Sequence, residues 1–288
     1  MFADYAYLDT RIVDSSNTVD SSNTTEQVAY YFYQKNESNS LAPPLVFVHG
    51  FCEDSSIWEP FFKVLSRKTK NTLLAIDIAS FGASCQNDTS MEGMAAQINA
   101  VLTDLALPEC LLVGHSMGGY AALAMAELYP QRLVGIGLLH SHVFADSAEK
   151  KDNRNKSIDF IGRNGVAPFV KQLFYQLFEP DFARANTVLV EELIAKARTF
   201  SPAAIMAASA AMRDRPDRSA ILRHFAKPVL FISGKQDNTI SPEQSLAQTA
   251  FANTSYFLWL ENVGHMAMFE QPERVADALL TFLNGIQE

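Results

Sequence analysis

The chain has 288 residues, 48% of them hydrophobic and 19% charged. That balance supports a large core and is too apolar for disorder. A net charge of −9 sets it against nucleic acid and anionic membrane surfaces as partners. Read in chain order, residues 5–13 and 28–33 alternate and predict two strands of a meander. Between them the hexapeptide DSSNTV is followed by DSSNTT, a repeat that reads as a lengthened polar loop. From residue 45 short apolar runs alternate with longer helical stretches. Strands are predicted at 45–48, 72–76, 110–114, 133–139, 228–233 and 255–260, each apolar throughout as for burial on both faces. Helices are predicted at 57–68, 91–105, 117–129, 242–253 and 272–285. The alternation implies an α/β fold with a mostly parallel open sheet and helices on both faces.

Residues 141–216 break the pattern. They hold no strand signal and read as amphipathic helices, among them 166–178 and 187–200. The expected organisation is therefore a core of residues 1–140 and 217–288 with an inserted helical cap at 141–216. No apolar run is long enough to span a membrane. Cys52, Cys85 and Cys110 make neither a disulfide framework nor a CxxC metal site. With an acid at Asp4 and no basic segment ahead of an apolar run, a cytoplasmic protein is expected.

Gly114-His115-Ser116-Met117-Gly118 fits G-x-S-x-G between an apolar strand and an alanine-rich helix, the strand–turn–helix setting that this motif needs. A serine hydroxyl requires a base to become a nucleophile. Of six histidines, His265 lies after the last strand and before the final helix, where an open sheet places active residues. His49 and His115 sit in turn motifs and are expected to support backbone geometry. His140 and His142 stand at the entrance to the cap, either lining the pocket or in its outer wall, and His224 is peripheral. An acid must orient the imidazole. Asp237 follows the strand at 228–233, and the order Ser116, Asp237, His265 suits the fold; Asp146, after the preceding strand, is the rival. The oxyanion would be met by the backbone N–H of Met117 and that of Phe51, in the loop after the first buried strand.

Taken together, His49-Gly50-Phe51, Trp58 with Pro60, Gly114 to Gly119, Gly234-Lys235-Gln236-Asp237 and Gly264-His265 resemble the α/β-hydrolase family from about residue 28 onward. The family's Asp-x-Pro-Gly-x-Gly-x-Ser turn corresponds to Asp77 to Ser84 and lacks the proline and first glycine. The resemblance implies a carboxylic-ester hydrolase that uses neither cofactor nor metal and acts on a small ester or related acyl substrate. Serine at 116 sets the chain apart from dehalogenase and epoxide-hydrolase relatives, whose nucleophile is aspartate. His142, Phe174 and Phe178 are the named pocket candidates; Phe169, Tyr175 and Met206 offer further apolar surface, either to the pocket or to the cap's own core. The same triad also suits a lactonase, a thioesterase, a C–C bond hydrolase or a perhydrolase, and the scaffold suits a small-molecule receptor.

Overall fold

The computed structural model describes residues 10–14, 27–35 and 42–287. The predicted strand at 5–13 is thus seen only from Thr10, and the hexapeptide repeat beyond Asp14 lies outside the described residues. Eight strands form one sheet: β1 (Thr10–Asp14), β2 (Gln27–Gln34), β3 (Leu45–Val48), β4 (Leu73–Ile76), β5 (Cys110–His115), β6 (Leu133–Leu139), β7 (Val229–Gly234) and β8 (Ser255–Leu260). Their order is β1-β2-β4-β3-β5-β6-β7-β8. β1 and β2 pair antiparallel and β2 joins β4 antiparallel; all later pairs are parallel.

The helices are α1 (Glu59–Leu65), α2 (Met91–Asp104), α3 (Met117–Leu128), α4 (Ala148–Asn164), α5 (Val166–Leu177), α6 (Pro180–Ala185), α7 (Thr187–Ala197), α8 (Pro202–Asp214), α9 (Ser219–His224), α10 (Pro242–Ala247), α11 (Ala267–Glu270) and α12 (Pro272–Gln287). Several begin on a serine whose hydroxyl accepts an N–H of the first turn: Ser90, Ser147, Ser201 and Ser241. α1 packs on α12 and α2 on α3, covering the two faces of the sheet. From α4 to α9 the chain is helical without an intervening strand.

Every residue of β3, β4, β5, β6 and β7 is buried. β8 differs from its expectation of full burial: Ser255 and Phe257 are exposed, because β8 has a neighbour on one side only. The helix predicted at 242–253 is cut short as well, α10 ending at Ala247 and giving way to a 3-10 turn at Gln248–Ala250. The chain runs from β3 outward to β4, then returns across β3 to start β5. That reversal opens a crevice beyond the carboxyl ends of β3 and β5, where open α/β sheets bind ligands. Among the described residues, no helix is long and apolar enough to cross a membrane.

Candidate active site

β5 ends at His115, and Ser116 turns the chain into α3. Ser116 has φ 49° and ψ −109°, a conformation that L-residues rarely hold and that persists only where surrounding contacts enforce it. Two contacts explain the enforcement: Ser116 N–H donates to Leu139 O at 2.9 Å, and Ser141 Oγ donates to Ser116 O at 2.8 Å. The flanking glycines permit the close approach. A Cβ on Gly114 would lie 2.2 Å from Gly118 O, and one on Gly118 would lie 2.5 Å from Val48 O. The serine is thereby raised at the first turn of α3, whose free N–H groups favour negative charge.

Asp237 follows β7 and His265 follows β8. His265 Nδ1 and Asp237 Oδ2 are 2.7 Å apart, both buried. The other carboxylate oxygen, Oδ1, accepts the backbone N–H groups of Thr239 and Ile240 at 2.8 and 3.0 Å. Burial alone would raise the Asp237 pKa. The charge of His265 and the hydrogen bonds from His140 and His265 outweigh it and hold the carboxyl well below the usual carboxylate range. Asp146 is placed elsewhere: it pairs with Arg154 and, at 2.7 Å, with Arg215. Of the two candidate acids, the structure brings Asp237 to His265.

His140 enters this arrangement in a way the sequence did not reveal. Its Nδ1 lies 3.0 Å from the same Asp237 Oδ2, and its Nε2 accepts the Ala267 N–H at 3.2 Å. That acceptor role fixes the neutral tautomer with the proton on Nδ1. Burial pushes its pKa down to about 4, so it serves Asp237 as an uncharged donor. The only signal in the sequence was a polar residue at the carboxyl end of an apolar strand. The facing atoms of His140, Asp237 and His265 lie within 4.8 Å of one another, a spacing that suits a cation; here they are spent on the two hydrogen bonds just described.

Three further groups shape the site. His115 Nδ1 contacts Glu53 Oε2 at 2.9 Å, and its Nε2 donates to His265 O at 2.9 Å. Glu53 also accepts the Gly50 N–H at 2.6 Å, so one buried pair ties the Phe51 loop to the backbone of His265. Burial opposes both charges, yet Glu53 is lowered by His115 and His115 is raised by Glu53. On the far side Glu270 accepts from Gly264, Met266 and Glu179 N–H groups. His265 N–H itself donates to Leu177 O at 2.6 Å, which docks the end of α5 on the histidine loop. The Asp77 turn closes without its family proline. Asp77 accepts from Ser55 and Ala83 N–H, and Gly82 is kept at φ 60°, where a Cβ would strike the Asp77 carboxylate.

Ser116, His265 and Phe51 line one cavity of about 480 Å³ to which α4, α5 and α8 also contribute wall. Phe169 is in its wall, stacked edge-to-face on Phe51 at 6.1 Å. The three pocket candidates sit elsewhere. Phe174 lines a separate cavity of about 220 Å³. Phe178 is buried between Phe182 and Phe269. His142 is buried against Tyr120. Helical periodicity in the sequence shows which residues are apolar but not which of several faces meets the cavity.

The alpha/beta hydrolase family profile matches residues 45–278. The chain is 31% identical over 127 residues to the sn-1-specific diacylglycerol lipase ABHD11 of Xenopus laevis, covering 43% of this chain and 41% of that one. It therefore spans less than half of that curated relative. With the protein of the same name from Mus musculus it shares 25% identity over 278 residues, covering 87% and 84% of the two chains. A solved thermophilic esterase from Thermogutta terrifontis, with malate bound, superposes with a TM-score of 0.85 at 26% identity, covering 97% of this chain and 99% of that one. The strand–turn–helix at Ser116, the sheet order and the family profile agree, and the chain belongs to the alpha/beta hydrolase family.

Proposed function

We propose that this hydrolase is a serine esterase cleaving a small carboxylic ester through an acyl-enzyme intermediate. The observation that carries the reading is the 2.7 Å contact of His265 Nδ1 with Asp237, on a cavity shared with Ser116 at its strained turn. In this reading Ser116 Oγ attacks the carbonyl carbon while His265 Nε2 takes the hydroxyl proton. Asp237 stabilises the imidazolium and holds its tautomer. The backbone N–H groups of Phe51 and Met117 receive the oxyanion. His265 then protonates the departing alcohol. A water, deprotonated by the same nitrogen, attacks the acyl carbon and releases the acid. The lipase and esterase names among its relatives and structural neighbours support an oxygen ester as substrate.

Residues 141–216 act as a lid on a core formed by 1–140 and 217–288. The contribution of α4, α5 and α8 to the cavity wall supports this role. We place the enzyme in the cytoplasm, where its unpaired Cys52, Cys85 and Cys110 stay reduced. The test is covalent labelling with a fluorophosphonate. One adduct is expected, on Ser116, and Ser116→Ala should remove both the adduct and p-nitrophenyl acetate turnover, with kcat falling by roughly 10⁶. An adduct that survives the substitution assigns the nucleophile to another residue.

A further inference from the structure

The cavity holding Ser116 has an uneven charge. Its charged lining side chains, apart from histidine, are three cations, Lys150, Arg154 and Lys156, and one anion, Glu53. Glu53 is already held by His115 and the Gly50 N–H. Lys156 lies out at the surface, paired with Asp152 at 2.6 Å. Arg154 meets Asp146 through Nε, and its two Nη groups have no hydrogen-bond partner among the described residues. Lys150 is half-buried, and its Nζ donates to a single group, the Thr239 carbonyl, at 2.8 Å. No carboxylate lies within salt-bridge distance of it among the described residues. An ammonium withdrawn from water without a counter-ion is costly, and such charges are normally paired.

The placement is specific. Lys150, Asn153, Arg154 and Ser157 stand at i, i+3, i+4 and i+7 of α4 and all line the cavity, so one polar stripe of the helix faces Ser116. Thr239, which receives the Lys150 ammonium, gives its own N–H to Asp237 at 2.8 Å. The unpaired ammonium therefore lies two hydrogen bonds from the proposed triad acid, within reach of a short substrate.

We propose that the substrate carries a free carboxylate a few atoms from its ester bond, and that this carboxylate docks on Lys150 and Arg154. The proposal rests on the esterase reading above. Burial and then the neighbouring Arg154 lower the Lys150 pKa, against the charges of Asp146 and Asp237, neither of which is in salt-bridge contact with it; a bound carboxylate would supply that direct contact. Asn153, Ser157 and Gln172 add neutral hydrogen-bonding groups to the same wall.

The experiment compares acid and neutral members of two matched ester pairs. Monomethyl succinate against methyl pentanoate puts the carboxylate on the acyl side. 4-Acetoxybenzoate against 4-acetoxybenzamide puts it on the alcohol side. In at least one pair the acid should be preferred about tenfold or more in kcat/KM, the scale of one charge-assisted hydrogen bond. Lys150→Met should cut that preference about tenfold, and Lys150→Arg should restore most of it. If Lys150 merely braces Thr239, Lys150→Met slows both members equally and the preference stands, which overturns the proposal; so does a wild-type preference for the neutral member in both pairs. Should Lys150→Met not fold, the wild-type preference must shrink between 50 and 500 mM NaCl, and a salt-independent preference overturns the site. If none of the four esters turns over, the esterase reading fails by itself. Calorimetric titration of succinate into wild type and Lys150→Met then decides the site: binding weakened about tenfold by the substitution supports it, and absent or unchanged binding overturns it.

Discussion

Asp237 accepts two imidazole N–H groups on one oxygen and two backbone N–H groups on the other. Asp237→Asn replaces an acceptor by a donor at one of these oxygens, and the His265 tautomer follows. A loss of about 10⁴ in kcat is expected. Asp146→Asn, by contrast, leaves Arg154 and Arg215 without their carboxylate. It should lower stability by about 3 kcal/mol while kcat changes less than tenfold. Measuring kcat and urea unfolding of both variants checks the pair, and the reverse ranking would move the acid's role to Asp146. His142 makes a separate statement at this scale. Its Nδ1 accepts the Phe144 N–H, so its buried Nε2 is left without a partner. Burial, then Arg215 and Lys150, push its pKa from 6.5 to about 3. Below pH 6.5 the unfolded chain binds a proton that the folded chain refuses. The stability contribution is thus complete above pH 6.5 and is lost as pH falls toward 3. Between pH 7 and pH 4.5, wild type should lose about 2.5 kcal/mol more than His142→Phe in urea unfolding. Equal losses would mean that His142 titrates normally in the folded chain.

Among the elements, the β5–α3 elbow is the least forgiving. Gly114→Ala drives a Cβ to 2.2 Å from the Gly118 carbonyl, against backbone that has no rotamer to yield. A destabilisation of about 3 kcal/mol or more is expected, read by thermal unfolding; a variant as stable as wild type would show that the elbow can relax. The elbow was legible from sequence because its requirements are local: strand, two glycines, serine, helix. The buried parallel strands were legible for the same reason, since a strand covered on both faces must be apolar at every position. The exposure of β8 was not, because being at the edge of a sheet is a property of strand order and leaves no mark on Ser255–Leu260 itself. The contact of His140 with Asp237 and the place of Glu270 were not legible for a related reason. His140 meets Asp237 from 97 residues away, and Glu270 meets Glu179 from 91; neither spacing follows a period.

Across the whole molecule, the helical segment between β6 and β7 contributes wall and contact to the site from several directions. Phe169 reaches the cavity and Phe51, whereas Phe178 is enclosed by Phe182 and Phe269. Their truncations should therefore separate. Phe169→Ala enlarges the cavity and should shift acyl-chain preference toward longer esters by roughly tenfold in relative kcat/KM. Phe178→Ala should leave the preference in place and cost about 3–5 kcal/mol of stability. A screen of p-nitrophenyl esters from acetate to octanoate, with melting curves for both variants, checks this. Exchanged outcomes would mean that Phe178, not Phe169, meets the substrate.

The strand order has a temporal side. The crevice at the β3–β5 reversal is furnished by positions 51, 116, 237 and 265, which lie far apart in the chain and are made in that order. At about 5–20 residues per second, the elbow leaves the ribosome many seconds before the histidine that would activate it. His140 too waits for the carboxylate that it is to serve. A nascent chain halted before β8 would carry a shaped serine with no base, and α12 would not yet cover α1. On the proposed reading, Ser116 thus gains its acid and its base only after β7 and β8 have both been made.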